Sequence, residues 1–163
     1  MNVYLMRHAE AEPVSETIED KSRTLTDKGI KTVESELPSI RKLVGQVDYI
    51  LTSPFQRAFR TALLLGEYFR AENFIQVVEE LAVRGEEKAI SVILNKVIGK
   101  ENVFVVGHMP HLSELAKYFT GDPGEDDIKI QKAGVLKITF SGFPDMGQGK
   151  IRWSMSPEEL LKI

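Results

Sequence analysis

The sequence predicts an α/β fold, a three-layer α/β/α sandwich whose mostly parallel central sheet ends in an antiparallel edge strand. Short apolar runs rich in β-branched residues alternate with longer amphipathic segments along the chain. This alternation is typical of helices that pack on both faces of a parallel sheet. Only the Gly- and Pro-rich residues 141–149 separate the last two apolar runs, which predicts a closing hairpin. Because 163 residues fit one hydrophobic core, we expect a single domain over residues 1–163.

Six apolar runs are predicted to form the strands. In chain order they are Asn2–Met6, Val47–Thr52, Ile75–Val78, Asn102–Gly107, Val135–Phe140 and Ile151–Met155. Their Val, Ile, Leu and aromatic residues favour extended structure. The fourth run is the most apolar of the six.

Four segments between these runs are predicted to form helices. The first begins at Thr26, an N-cap residue followed by an acidic first turn, and Pro38 is expected to kink or divide it. The second begins at Ser53–Pro54, an N-cap residue with proline at the first helical position. Its apolar spacing predicts a buried face made of Phe55, Ala58, Phe59, Ala62, Leu63 and Phe69. The other two helices are predicted over residues 86–98 and 110–119.

The composition excludes several classes of protein. A net charge of −3, with 28% charged residues, gives no electrostatic reason to expect a nucleic acid or an anionic membrane as partner. The chain contains no cysteine, which excludes a disulfide scaffold, a zinc ribbon and a cysteine nucleophile. No apolar run approaches the roughly 20 residues of a membrane span, and the first residues lack a signal-peptide pattern. We therefore expect a cytoplasmic protein.

Arginine and histidine residues follow three of the predicted strands. Arg7 and His8 follow the first strand, Arg57 lies in the helical turn after the second, and His108 follows the fourth. Ligands of such sheets bind beyond the carboxyl ends of the strands. Two helix N-termini, with unpaired N–H groups, are expected at the same edge. The sequence therefore predicts an anion site there.

The residue types at this edge suit phosphoryl transfer. Arginine binds phosphoryl oxygens with two hydrogen bonds and stays charged, and two arginines would stabilise the transferring group. A neutral histidine is nucleophilic near pH 7, and a second histidine can donate a hydrogen bond to the phosphoryl oxygens. Because an arginine in the first turn of a helix opposes the helix dipole, Arg57 needs a partner of negative charge, which a bound phosphate would provide.

At these residues the chain resembles the histidine phosphatase (phosphoglycerate mutase-like) superfamily, and within it the SixA-type phosphohistidine phosphatases. The matching motifs are Leu5-Met-Arg-His-Ala9, Arg23-Thr-Leu-Thr-Asp-Lys-Gly29, Ser53-Pro-Phe-Gln-Arg-Ala-Phe-Arg-Thr61, Val106-Gly-His-Met-Pro-His111 and Trp153-Ser-Met-Ser-Pro157. They occur in the family's order and span nearly the whole chain.

The resemblance implies a phosphatase that hydrolyses phosphohistidine on a protein through a covalent phospho-His8 intermediate. It implies Arg7 and Arg57 as phosphate ligands, His108 as the second histidine, and Arg23 at the edge of the pocket. No metal or organic cofactor is implied. The partner is a phosphohistidine-bearing protein of unknown identity, and phosphate is the product.

Two positions are less well defined by the resemblance. Ala9 replaces the family's usual glycine, and its methyl group is expected to crowd the approach of substrate. Glu80 occupies the position of the general acid in the larger members, but it is equally well interpreted as half of a solvent-facing Glu pair. An imidazole leaves phosphorus more readily than an alkoxide, so a phosphohistidine substrate depends less on such an acid.

Four other interpretations remain open. The same site could hydrolyse small phosphomonoesters, could bind a phosphorylated ligand without turnover, or could act as a mutase, although the short chain has little room for a lid. A metal site would use His8, Glu10 and Glu12 or the pair His108 and His111. Against it, the strand has ended before Glu12 and Pro13. We then expect His111 on the helix surface or the pocket rim, and Trp153 in the core.

Overall fold

The structure is a computed structural model that describes residues 1–82, 86–122, 124 and 126–163. Its strands are β1 (Asn2–Arg7), β2 (Tyr49–Thr52), β3 (Ile75–Val77), β4 (Asn102–Gly107), β5 (Val135–Phe140) and β6 (Gly149–Met155). Its α-helices are α1 (Asp27–Val44), α2 (Gln56–Phe69), α3 (Glu87–Lys96), α4 (His111–Thr120) and α5 (Pro157–Leu160). All six predicted strands are present.

The strands form one sheet in the order β3-β2-β4-β1-β5-β6. The strands β3, β2, β4 and β1 are parallel to one another, whereas β5 runs antiparallel to both β1 and β6. The predicted closing hairpin and antiparallel edge are therefore confirmed. Because β2, β4 and β1 are adjacent and parallel, their carboxyl ends lie side by side at one edge of the sheet.

The core has two parts, one on each face of the sheet. On β1, Tyr4 and Met6 pack with α1 and α2, while Val3 and Leu5 pack with α3 and α4. This alternation follows from the two-residue period of a strand and from burial on both faces. Three layers result, as the sequence predicts.

Helix α1 continues through Pro38 as one element of 18 residues, so the expected division is wrong. Pro38 lies on the exposed face of α1, and so does Glu34, whose carbonyl group loses its helical donor. The buried residues Val33, Leu37 and Ile40 lie on the opposite face and pack into the core. Burial of that face stabilises the helix on both sides of the proline.

Helix α2 begins later than predicted. Phe55 is its N-cap, and the Ser53 hydroxyl accepts a hydrogen bond from the Phe55 N–H instead of capping the helix. The buried face is also rotated from the expected one. Its members are Arg57, Ala58, Thr61, Ala62, Leu64, Leu65, Gly66 and Phe69, whereas Phe55, Phe59 and Leu63 are half-buried.

Trp153 is half-buried on edge strand β6 and packs against the core, with its ring centroid 5.9 Å from that of Tyr4. Trp153 therefore lies at the edge of the core and not at its centre. The short helix α5 was not predicted; it carries a capping box between Ser156 and Glu159. Among the described residues, no helix combines the length and the apolar character that a membrane crossing demands.

Candidate active site

Three neighbouring strands end at the site and deliver its central side chains. The His8 N–H donates to the Gly107 carbonyl at 3.0 Å, and the Ser53 N–H donates to the Val106 carbonyl at 3.0 Å. The ladder therefore continues one residue beyond β1 and β2, which fixes the backbone at both positions. His108 directly follows β4, and the centroids of the His8 and His108 rings are 5.1 Å apart.

His8 is held as a neutral imidazole with a defined tautomer. Its Nδ1 lies 2.7 Å from the Ala9 carbonyl oxygen. Because a carbonyl oxygen only accepts, Nδ1 carries the proton and Nε2 carries the lone pair. Burial, together with the charges of Arg57 and Arg7, lowers the pKa of His8 to about 4, although the hydrogen bond to Ala9 acts in the opposite direction. The ring is therefore an unprotonated nucleophile at neutral pH.

His108 lies next to His8 and is buried in the same way. Its side chain is buried, and its Nε2 is 2.8 Å from the Ser53 hydroxyl oxygen. Burial, together with the neighbouring His8 and Arg57, lowers the pKa of His108 to about 3. Its Nδ1 is buried and has no hydrogen-bond partner within the described ranges. This nitrogen is the one that remains for a ligand.

Arg57 lies in the first turn of α2 and is only 5% exposed. Its Nη1 donates to the Asp20 carbonyl oxygen at 2.9 Å, and its Nη2 is 3.3 Å from Asp20 Oδ2. Its Nε is buried without a partner in the part of the chain that the structure describes. The negative partner that the sequence requires for Arg57 is thus supplied in part by the protein itself, and Nε remains free for a ligand.

Arg7 repeats this arrangement at the end of β1. Its Nη1 donates to the Ile130 carbonyl oxygen at 3.3 Å, and its buried Nε lacks a partner among residues 1–82, 86–122, 124 and 126–163. The strand end is fixed by Ala133, whose N–H donates to the Arg7 and His8 carbonyl oxygens at 3.1 and 3.2 Å. The two guanidinium groups therefore each keep a buried Nε that has no partner among the described residues.

Arg23 lies beside Arg57, at the edge of the site. It donates to Asp20 Oδ1 from Nε at 2.9 Å and from Nη2 at 2.6 Å, and its Nη1 donates to the Glu12 carbonyl oxygen at 2.7 Å. Asp20 is therefore shared by two arginines. The role of Asp20 could not be predicted from its neighbours, because it is one of several acidic residues in an exposed stretch of the sequence. The need of Arg57 for a negative partner was the available signal.

Glu80 lies in a one-turn helix, Glu79–Leu81, and its side chain is exposed. Among the described residues it forms no hydrogen bond or ion pair, so the geometry does not connect it to either histidine. Its role as a general acid stays a prediction.

Two sequence-based expectations near the site are wrong. His111, expected on the helix surface or the rim, is 1% exposed because the first turn of α4 packs against the segment that contains Ala82. Ala9, expected to crowd the approach of substrate, is fully buried and belongs to the core cluster beneath the site. Its methyl group therefore packs inward, away from the opening.

The acidic residues proposed for a metal site have other partners. Glu10 accepts from the Thr26 hydroxyl at 2.9 Å and pairs with Lys28 at 3.4 Å. Glu12 accepts from the Thr24 N–H at 3.2 Å. Across the residues that the structure describes, no three His, Asp or Glu side chains form a cluster suited to a metal ion.

The arrangement suits the transfer of a phosphoryl group to histidine. Arg7 and Arg57 each offer an unpaired Nε, His108 offers an unpaired Nδ1, and His8 offers a nucleophilic Nε2. All four side chains converge on the edge of the sheet where α2 and α4 begin, so the helix dipoles also favour an anion. Donors in such a dry site stabilise developing charge without reorganisation.

Comparisons with known proteins agree with this chemistry. A family model, the histidine phosphatase superfamily (branch 1), matches residues 3–84. Phosphohistidine phosphatase SixA of Escherichia coli (strain K12) is 26% identical over 159 residues, which cover 96% of this chain and 94% of that protein. An uncharacterized protein of Picosynechococcus sp. is 30% identical over 140 residues, or 85% of this chain and 84% of that protein. The solved structure of the protein histidine phosphatase SixA complexed with tungstate has a TM-score of 0.85 and 26% identity, covering 98% of this chain and 99% of that one.

Proposed function

The chain belongs to the histidine phosphatase superfamily (branch 1), and from this membership and the geometry of its site we propose that it hydrolyses phosphohistidine on a protein. The observation that carries the proposal is the state of His8, a buried neutral imidazole whose Nε2 is free beside two arginines. Relatives that span nearly the whole chain are phosphohistidine phosphatases, which supports this substrate class.

In the first step the Nε2 lone pair of His8 attacks phosphorus, and the bond between phosphorus and the substrate's ring nitrogen breaks. The substrate's imidazole leaves as a neutral ring when its other nitrogen carries a proton, so no acid is needed at the leaving atom. Arg7 and Arg57 bind the phosphoryl oxygens through their free edges and stabilise the charge that these oxygens carry during transfer.

In the second step water attacks the phosphorus of phospho-His8, and the bond from phosphorus to Nε2 breaks. The Nδ1 proton of His8 remains hydrogen-bonded to the Ala9 carbonyl throughout, so His8 also leaves as a neutral imidazole. Both hydrogens of the water leave with the phosphate, as the monoanion H2PO4−. The same hydrogen bond therefore prepares His8 as nucleophile in one step and as leaving group in the next.

Ser53 gives His108 its role in this scheme. The Ser53 hydroxyl oxygen already accepts from the Phe55 N–H at 3.2 Å, so its proton is free to be donated to His108 Nε2 at 2.8 Å. His108 then carries its proton on Nδ1, the buried atom that has no partner in the described part of the chain. We assign this N–H as a donor to a phosphoryl oxygen.

A protein-borne phosphohistidine fits the surroundings of the site. The connections that follow β1 and β3 contain, within their described residues, the one-turn helices Asp20–Ser22 and Glu79–Leu81 and an isolated bridge between Ala11 and Leu25, but no longer element. A small phosphomonoester would need a proton for its alkoxide, and Glu80 is an exposed side chain without a contact to either histidine. The proposal includes the cytoplasmic location that the sequence predicts. The partner protein is defined only by the phosphohistidine that it carries.

The experiment is a matched turnover assay with EDTA present and no added metal. A phosphohistidine-bearing carrier protein and glycerol 2-phosphate, an alkyl monoester whose alkoxide needs a proton to leave, are offered in parallel to the wild type and to His8→Ala. We expect kcat/KM to be at least roughly tenfold higher for the phosphohistidine, since its leaving group needs no acid. His8→Ala should be inactive on both substrates while its thermal unfolding stays cooperative.

Two results would contradict the proposal. A preference for the monoester would keep the site but move the function to small-molecule metabolism. Absence of turnover on both substrates, with retained binding of inorganic phosphate, would indicate a binding module.

A further inference from the structure

Asp20 connects the buried Arg57 with the peripheral Arg23. Its Oδ1 accepts two hydrogen bonds from Arg23, and its carbonyl oxygen and Oδ2 contact the two terminal nitrogens of Arg57. Asp20 belongs to a single turn in the connection between β1 and α1, so the two arginines reach it from different elements. No other described residue pairs with both.

The contacts occupy one specific edge of the Arg57 guanidinium. Nη1 and Nη2 are directed at Asp20, at 2.9 and 3.3 Å, whereas Nε is buried and unpaired among the described residues. Arg7 shows the same division, with Nη1 bonded to a backbone carbonyl and Nε unpaired. A guanidinium binds a phosphoryl group through a pair of parallel donors. Fixing the terminal edge therefore presents the Nε edge to the ligand.

Asp20 does not behave as a stand-in for the phosphoryl group. A stand-in would occupy the Nε edge and be enclosed with the histidines. Instead the Asp20 side chain is 51% exposed, and the shorter contacts of its carboxylate are to Arg23. Its charge also offsets part of the positive charge of the two arginines, which would otherwise repel each other.

We propose that Asp20 is a positioning residue, which orients Arg57 for the phosphoryl group and couples Arg23 to the same site. The proposal rests on the proposed function for the identity of the reaction. The binding of inorganic phosphate, the product, tests it without reference to turnover. Arg23 then acts through Asp20 and does not touch the phosphoryl group.

The test measures the Kd of inorganic phosphate by calorimetry, and kcat and KM on the phosphohistidine carrier. Asp20→Ala should weaken phosphate binding roughly tenfold and raise KM, because Arg57 loses the carboxylate contact at Nη2 and is held only by the backbone carbonyl at Nη1. Asp20→Asn keeps an acceptor oxygen and should recover most of the affinity. Glu19→Ala, an exposed neighbour in the same loop, is the matched control and should bind phosphate as the wild type does.

A double-mutant cycle tests the coupling. Arg23→Gln should weaken phosphate binding in the wild type but add little to Asp20→Ala, since both changes break the same contact. Asp20→Ala binding phosphate as tightly as the wild type, or more tightly, would overturn the proposal, and so would additive effects in the cycle. If the chain bound phosphate through Arg57 but did not hydrolyse phosphohistidine, the function would fail while these results on Asp20 remained valid.

Discussion

Arginines lie near both ends of helix α2, and they differ in what they contact. At the N-terminal end, Arg57 is buried and its Nε has no partner within the described residues. At the C-terminal end, Arg41 of α1 donates to the Tyr68 carbonyl oxygen at 3.0 Å. Its guanidinium carbon lies 4.9 Å from the ring centroids of both Tyr68 and Phe69. Arg41 thus already donates a hydrogen bond within the protein, and its guanidinium group stacks on two aromatic rings.

The C-terminal end also borders a cavity of about 510 Å³, lined by Arg41, Gln46, Tyr68, Phe69 and Arg70. The carbonyl groups at a helix C-terminus carry partial negative charge, which attracts these arginines and repels an anion. The N-terminal end presents N–H groups and two histidines instead. The difference shows that neither a cavity nor a pair of arginines identifies a phosphoryl site. Unpaired buried donors at a helix N-terminus do.

The largest difference in kcat/KM should be found between two alanine variants, one at each end of α2. Arg57→Ala should lower kcat/KM about 100- to 1,000-fold, the range for removal of one preorganised donor in a dry site. Arg41→Ala should leave kcat/KM within about twofold and should reduce stability by about 1 kcal/mol at most. Steady-state kinetics and urea denaturation of both variants measure the contrast. Equal losses of activity would remove the distinction between the two ends.

A smaller effect should follow loss of the Ser53 hydroxyl. Ser53→Ala should lower kcat roughly tenfold, the size of one buried hydrogen bond, because His108 is no longer held as the Nδ1–H tautomer. The control is Ser39→Ala, which removes a buried hydroxyl from α1. An unchanged kcat in Ser53→Ala, with ordinary folding, would show that the tautomer of His108 does not depend on Ser53.

Glu80→Gln should have a still smaller effect, and only on one substrate. A few-fold loss is expected with glycerol 2-phosphate and almost none with phosphohistidine, because only the alkyl monoester needs a proton donor for its leaving group. Glu79→Gln, a neighbouring exposed glutamate in the same turn, is the control. Equal losses on both substrates would disprove the leaving-group explanation.

Substitution of Glu36 should have no effect on turnover, although both of its carboxylate oxygens are buried without partners within the described ranges. It lies in the middle of α1, away from the helix N-termini of the site. Burial raises the pKa of Glu36 to about 8, so the folded state retains a proton that the unfolded state releases near its ordinary value of 4.5. The stability of the wild type should therefore fall as pH rises from about 4.5 to about 8, by on the order of 1 kcal/mol per unit.

The variant Glu36→Gln removes this titration. Its free energy of unfolding should change less between pH 5 and pH 8 than that of the wild type, with kcat/KM unchanged. Urea denaturation at the two pH values measures the difference. A parallel pH dependence in both proteins would mean that Glu36 is ionised in the folded state.

The sequence was sufficient for the features that depend on strand ends. Arg7, His8 and His108 directly follow apolar runs, and Arg57 lies in the first turn of the helix that follows a further apolar run. The parallel sheet alone therefore brings these residues to one edge. The contact of Asp20 with Arg57 could not be predicted, since it joins a loop to a helix 37 residues away.

Errors arose where packing overrides local signals. Pro38 remains within α1 because one helix face is buried, and His111 is enclosed because the first turn of α4 packs on the segment around Ala82. The sequence indicates Ser53 as a helix cap, yet its hydroxyl is shared between the Phe55 N–H and His108. A residue at a strand end next to a predicted site is better interpreted as part of that site.

The central claim is that a phosphoryl group is carried by His8, and rapid-quench mass spectrometry under alkaline conditions tests it most directly. After mixing with the phosphohistidine carrier, the peptide that contains His8 should gain one phosphoryl group that is stable in alkali and lost in acid. Its level should rise and fall within a single turnover in the wild type and should be absent in His8→Ala. Turnover at the wild-type rate without any such peptide, or a phosphoryl group found on His108 instead, would contradict the account.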